Sequence, residues 1–167
     1  ELFLNGKSLG IQKKNTETHQ NRYRLMWMAV KYQPGTLKVV ALDENGNPVA
    51  EKEIKTAGKP HKIILESDVK TLKANGEDLA YITVSVVDKN GIFCPTATNQ
   101  LTFKVDGEGT YRAACNGDAT SLEMFHLPTM KLFSGKLIVL IQSTEKSGKI
   151  TLSVKGKRLK KEKLALP

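Results

Sequence analysis

Aromatic side chains make up only 6% of the 167 residues, and they do not sit among the basic ones. That scarcity argues against a single-strand nucleic-acid groove, where rings interleave with cations so that bases can stack. Arginine is scarce as well. The net charge is +9, yet the only arginines are Arg22, Arg24, Arg112 and Arg158, and lysine carries the rest. Forked contacts to bases and phosphates favour arginine. The positive charge, densest in Lys155–Lys163, therefore reads as a solvated edge strand and tail rather than a nucleic-acid arm. Long apolar runs are missing too: the longest aliphatic one, Leu137–Ile141, is far too short to cross a bilayer, so membrane insertion is not expected. Two cysteines, Cys94 and Cys115, are too few for a disulfide framework. Both lie near expected strand ends, which leaves open either one bridge in an exported protein or two buried free thiols.

Catalytic signatures are also lacking. There is no Gly-x-Ser-x-Gly elbow, no phosphate-binding loop and no dinucleotide fingerprint. The histidines His19, His61 and His126 do not have the paired spacing of a metal site. Glu123 and His126 could share one turn, but no further ligands accompany them. Asp88, Asp106, Glu108 and Asp118 fall near turns, where a carboxylate commonly bonds its own backbone instead of a calcium ion. Glycoside hydrolysis needs two carboxyls converging on one pocket, and nothing in the chain nominates such a pair. No catalytic residue, metal or cofactor is expected.

Five Asn-Gly pairs are present, at Asn5-Gly6, Asn45-Gly46, Asn75-Gly76, Asn90-Gly91 and Asn116-Gly117. Asn tolerates the positive φ of a tight hairpin turn and Gly adopts it freely. Set between short runs of Val, Ile, Leu and Thr, they predict antiparallel sheet. The expected strands of the first part are a hairpin of Glu1–Leu4 with Leu9–Ile11, then Arg24–Val30, Thr36–Leu42 and Val49–Ile54. An immunoglobulin-like sandwich needs about 100 residues and seven strands, so this part, residues 1–57, is expected to be an N-terminally truncated sandwich. Glu1–Asn5 read as the middle of a strand, so the chain is expected to be a piece of something longer.

Thr56–Pro60 reads as a linker. Residues 58–167 have the length of a complete sandwich, and the fold class is all-β, two tandem immunoglobulin-like β-sandwiches. In Leu79–Val87, the residues Ala80, Ile82, Val84 and Val86 share one face, the mark of a half-buried strand. Lys136–Ser143 is apolar on both faces and reads as a central strand. His61–Leu65, Leu101–Val105, Thr110–Cys115 and Ile150–Val154 complete the set. The stretch Asn116–Gly135 has no clear period and Pro128 breaks it. Ser121 to Met124 could cap a short helical turn there, and so long a connection often has a role.

Trp27 and Tyr32 are candidate sugar-contact residues, since indole and phenol rings stack on sugars. Trp27, within the apolar run Leu25–Val30, reads first as a core residue.

The hairpin Glu1–Gly10 resembles the segment that follows the catalytic barrel of glycoside hydrolase family 2 enzymes. Leu25–Trp27 with Tyr32–Ala41 resembles that family's next strands, and Thr56–Gly58 its exit. Leu72–Leu79, Ile82–Asp88, Cys115–Asp118 and Phe133–Lys136 are similar to an invasin-like immunoglobulin domain at the extreme C-terminus of β-galactosidases of this family. The resemblance implies a non-catalytic accessory region of a family 2 glycoside hydrolase involved in carbohydrate degradation. It implies an upstream catalytic barrel as partner, possible contact with oligosaccharide or a second copy, and a bacterial parent exported to the periplasm or the exterior. It carries over no catalytic residue. A carbohydrate-binding module and a surface adhesin of tandem immunoglobulin-like domains are the alternatives.

Overall fold

A computed structural model describes all residues from Glu1 to Pro167. The chain divides into two compact units, Glu1–Thr56 and Ala57–Pro167. No helix is long and apolar enough to cross a membrane.

The first unit is one antiparallel sheet, formed by β1 (Leu2–Leu4), β2 (Lys7–Ser8), β3 (Thr36–Leu42) and β4 (Pro48–Lys55) in the order β2-β1-β3-β4. Asn5 and Gly6 both have positive φ, 52° and 79°, and close the tight β1–β2 turn. The hairpin partner is therefore Lys7–Ser8 rather than Leu9–Ile11. A single helical turn, α1 (His19–Tyr23), interrupts the expected loop; Thr18 caps it by accepting from the Asn21 amide at 3.2 Å.

Arg24–Val30 is not a strand. Its residues keep an alternating exposure, with Leu25 and Trp27 half-buried and Met26 and Met28 exposed. The ladder is supplied instead by one side chain: the Gln12 amide donates to the Met26 carbonyl at 2.6 Å and accepts from the Met26 amide at 3.3 Å. Both flanks of β1 are already taken, by β2 and β3.

The second unit is a sandwich of two four-stranded antiparallel sheets. One holds β5 (Lys62–Ser67), β6 (Leu79–Val87), β10 (Lys136–Ser143) and β8 (Gly109–Cys115), in the order β5-β6-β10-β8. The other holds β12 (Glu162–Leu166), β11 (Ile150–Gly156), β7 (Gln100–Gly107) and β9 (Thr129–Lys131), in the order β12-β11-β7-β9. The inner face of the first presents Ile63, Ala80, Ile82, Val84, Val86, Ala114, Leu137, Val139 and Ile141. The second presents Leu101, Phe103, Met130, Ile150, Leu152, Val154 and Leu166, and all of these form one core. The period-2 alternation of each strand places them there. β10 is central, as its sequence indicates, yet its outward Ile138 is 40% exposed.

β9 was not anticipated, and the edge strand expected in Lys155–Lys163 lies further on, as β12. β9 is only three residues long, too short to show a period. β12 lies beyond the lysine-rich turn and pairs with β11 from Ile150↔Leu166 to Val154↔Glu162. It also ties the two sheets at one edge: the Lys160 amide donates to the His61 carbonyl at 2.9 Å, and Lys62 and Glu162 pair at 3.4 Å.

Only some of the Asn-Gly pairs join sheet neighbours. Asn90-Gly91 and Asn116-Gly117 instead precede crossings from one sheet to the other. The tight turn between β9 and β10 is made by Ser134 and Gly135, with φ of 49° and 75°. A Cβ at Gly135 would lie 2.2 Å from the Cys94 carbonyl oxygen, so only glycine fits.

The buried Asp88 organises the end of β6. Its carboxylate accepts from the amides of Gly58 at 2.7 Å, Asn90 at 2.8 Å and Ile92 at 2.9 Å. These bonds, that from Gly58 foremost, hold its pKa below the ordinary carboxylate value. The folded chain therefore favours the charged form. The stability this adds is complete above the unfolded pKa of about 3.9 and fades as pH falls through the lowered folded value. Asp88→Asn is expected to lower the urea midpoint at pH 7 and to flatten its decline between neutral and strongly acidic pH. A variant with the wild-type acid profile would show that these bonds do not discriminate charge.

Candidate functional site

The long connection after β8 is not a loose loop. Tyr111 on β8 stacks its ring on the buried Phe103 of the opposite sheet, with centroids 6.0 Å apart and planes at 11°. Its hydroxyl proton is shared between the Leu127 and Phe125 carbonyls, at 2.7 and 3.1 Å. Burial pushes the Tyr111 pKa up to about 12. The Ala114 amide donates to the Phe125 carbonyl at 2.8 Å, and the Asn116 side chain donates to the Lys131 carbonyl at 3.0 Å. Glu123 turns its carboxylate inward, accepting from the Lys131 amide at 3.1 Å and the Gln100 side chain at 3.2 Å. Asp118 bonds the Thr120 hydroxyl and amide, which lowers its pKa.

Residues 121–124 form no helix. The Ser121 hydroxyl instead accepts from the Glu123 amide at 3.3 Å, a side-chain turn that competes with helix formation. With its backbone held, the segment turns its apolar side chains outward: Leu122 is 97% exposed, Met124 60% and Phe125 55%.

β8 itself contributes a bulge. Leu140 pairs with Ala113 and Ile141 with Tyr111, so Arg112 is the extra residue in the β10–β8 ladder. A bulge on an edge strand re-aims a side chain, and here Arg112 lines an open cleft of about 470 Å³ with Ala113, Ser121, Leu122, Glu123, Met124, Phe125 and His126. Arg112 makes no ion pair within the chain. The cleft's one carboxylate, Glu123, is already committed to the backbone, and no three His, Cys, Asp or Glu residues gather to hold a metal.

The residues singled out from sequence lie elsewhere. Trp27 is half-buried and its indole N–H donates to the Gly10 carbonyl at 3.2 Å. Tyr32 is 77% exposed, and its hydroxyl bonds that of Thr56 at 3.3 Å. Neither hydrogen bond nor ring stacking joins the two. Cys94 and Cys115 form no bridge: both are free, Cys94 buried in the core and Cys115 exposed on the outward side of β8 beside the inward Ala114. Burial, and next the Asp88 charge, push the Cys94 thiol up. Arg112 and the apolar knobs of the loop were not anticipated individually. The length of the connection signalled the region; the bulge depends on pairing that no local pattern reveals.

Residues 63–165 match the family of glycoside hydrolase family 2 C-terminal domain 5, and residues 1–50 match a domain of unknown function, DUF4982. The chain is similar to the beta-galactosidase BoGH2A of Bacteroides ovatus, with 42% identity over 99% of the chain and 19% of that protein. It is likewise similar to a solved glycosyl hydrolase family 2 member from Bacteroides cellulosilyticus, at TM-score 0.90 and 33% identity over 99% of this chain and 22% of that one. A beta-glycosidase from Bacteroides vulgatus gives TM-score 0.86 and 34% identity over 99% of this chain and 20% of that one. The chain thus spans about a fifth of the length of these relatives.

Two measurements test the local picture. Tyr111→Phe keeps the stacked ring and removes the hydroxyl, so it should cost about 1 kcal/mol and speed amide exchange at Ala114. The raised pKa makes this contribution complete below pH ~10, lost as pH climbs towards 12. Separately, an aromatic disulfide reagent should label Cys115 at once and Cys94 only on unfolding. Two fast thiols would contradict the buried position of Cys94.

Proposed function

The chain belongs to glycoside hydrolase family 2, through that family's C-terminal domain 5, and from that premise we propose that it is the non-catalytic accessory region of a β-galactosidase-type glycosidase. The observation that carries this reading is the match of the complete sandwich, residues 63–165, within a chain that is similar over 99% of its length to one fifth of a beta-galactosidase. The cleft chemistry agrees. Retaining hydrolysis needs two carboxyls about 5 Å apart and inverting hydrolysis a somewhat wider pair, whereas this cleft offers Glu123 alone, with its oxygens spent on Lys131 and Gln100.

On this reading the chemistry belongs to an upstream catalytic barrel in the same polypeptide, and the two units, the single sheet and the sandwich, supply surface around it. The parent is exported, periplasmic or extracellular, which fractionation of the source cells tests. Contact with oligosaccharide is best supported at Tyr32, whose ring is exposed, and contact with a second copy at the exposed apolar side chains of the first unit, Met28, Val49 and Ile54. Glycosidase relatives favour this reading over a surface adhesin.

The 167-residue chain should release no nitrophenol from nitrophenyl β-galactoside above the buffer rate, while the complete polypeptide should turn it over. Hydrolysis by the chain alone would refute an accessory role, and an inactive complete polypeptide would refute the β-galactosidase assignment.

A further inference from the structure

The Tyr111-anchored segment has an unusual division of labour. Its backbone is fixed by hydrogen bonds from Tyr111 and Ala114 and its Glu123 side chain by one from the Lys131 amide, while Leu122, Met124 and Phe125 face outward beside a bulge-presented guanidinium. An unconstrained loop would fold such side chains inward, since leaving them in water forfeits about 1.5–3 kcal/mol each. Holding them outward on a rigid backbone pre-organises a contact and lowers its entropic cost.

The geometry points to docking, in this cleft, of an acidic protein segment flanked by apolar side chains, supplied by the part of the same polypeptide that lies outside this chain. This rests on the reading that the chain is one region of a longer glycosidase, and it names the surface that region uses. Three considerations select the occupant. Relatives such as the Bacteroides ovatus enzyme are about five times longer, since the chain covers 19% of that protein, so ample polypeptide exists to cover the cleft. Charge is complementary to an acidic partner: Arg112, without a carboxylate of its own, presents the forked donor that carboxylates fit, and the cleft's Glu123 is already spent on Lys131 and Gln100. A second copy docking through the same cleft would bring another guanidinium and no free carboxylate, since Glu123 is already committed. Side-chain type favours protein over glycan. Sugars stack on flat ring faces, whereas Leu122 and Met124 are flexible aliphatic knobs, and Met, Phe and Arg are enriched at protein interfaces.

The chain carries its own reporters. Met124 is 60% exposed, Met28 is 82% exposed and Met130 is fully buried. Mild peroxide followed by peptide mass spectrometry should oxidise Met124 and Met28 of the 167-residue chain readily and spare Met130. In the complete polypeptide, Met124 should oxidise about tenfold more slowly. Arg112→Glu with Leu122→Asp should restore its rate there without changing the thermal midpoint of the shorter chain. Equal Met124 rates in the two wild-type proteins would overturn the inference. So would protection of the shorter chain that disappears on dilution, which would mean a second copy, or protection that appears only with added galacto-oligosaccharide. Activity of the complete polypeptide on nitrophenyl β-galactoside is read in the same samples, so a failed glycosidase assignment is told apart from an uncovered cleft.

Discussion

The second unit depends on one constraint: each of its sheets is apolar on one face and must bury that face against the other. Ala80, Ile82, Val84 and Val86 from β6 and Leu137, Val139 and Ile141 from β10 meet Leu101, Phe103, Leu152 and Val154 across the sandwich. At about 1.5–3 kcal/mol for each large aliphatic side chain, this burial outweighs any single hydrogen bond in the molecule. It also fixes register, because a one-residue slip of β6 against β10 would turn every inward residue outward. The first unit lacks that constraint. Val40 is its one buried apolar residue, its single sheet is held by the backbone ladders of β1, β3 and β4, and the Gln12 clasp on Met26 ties down the segment outside the sheet. Two units of one chain thus rest on different forces.

That difference explains what could be read from the sequence. Leu79–Val87 is a strand with the expected ends, because a half-buried strand writes its face into every second residue, and Lys136–Ser143 is one too, marked by its short run apolar on both faces. Arg24–Val30 shows a similar pattern without being a strand, since the pattern reports burial and not hydrogen bonding; there a side-chain amide took the place of a neighbouring strand. β9 was invisible because its one buried residue, Met130, cannot establish a period. The Asn-Gly signal marked turns correctly but not what they join, for a positive φ reverses the chain whether the next strand lies in the same sheet or the opposite one. At the cleft, the unusual length of the connection was legible. The role of Tyr111 was not, because its partners Phe103 and Leu127 are distant in sequence or carry no side-chain signal.

Tyr111 and Arg112 show how adjacent residues on one strand divide structure from surface. Alternation sends the phenol ring onto Phe103, where burial keeps its hydroxyl protonated and donating to the loop. The bulge then leaves the next residue outside the ladder, so the guanidinium faces the cleft. Without the bulge, alternation from the inward Tyr111 would turn Ala113 inward and Ala114 outward, and Ala114 could not remain fully buried. The bulge is thus what lets Tyr111 and Ala114, three residues apart, both face the core, with Arg112 left between them as the extra residue.

The lysines have a structural account that needs no nucleic acid. They are concentrated where sheets end: Lys52 and Lys55 on β4, Lys160 and Lys163 at β12 and the turn leading into it. Both strands are sheet edges with unpaired backbone groups. Charge on an edge strand discourages addition of another strand, because pairing would desolvate the ammonium groups. β4 alternates Glu51, Lys52, Glu53 and Lys55, with Lys55 and Glu53 at 2.7 Å, so it resists strand addition without relying on net charge. The larger share of the positive excess, +6 of the +9, lies on the second unit, the unit whose cleft exposes an unpaired arginine. Lysine along the free edge of β12 therefore serves the same end as the alternating charges of β4, since either pattern makes strand addition desolvate charged groups.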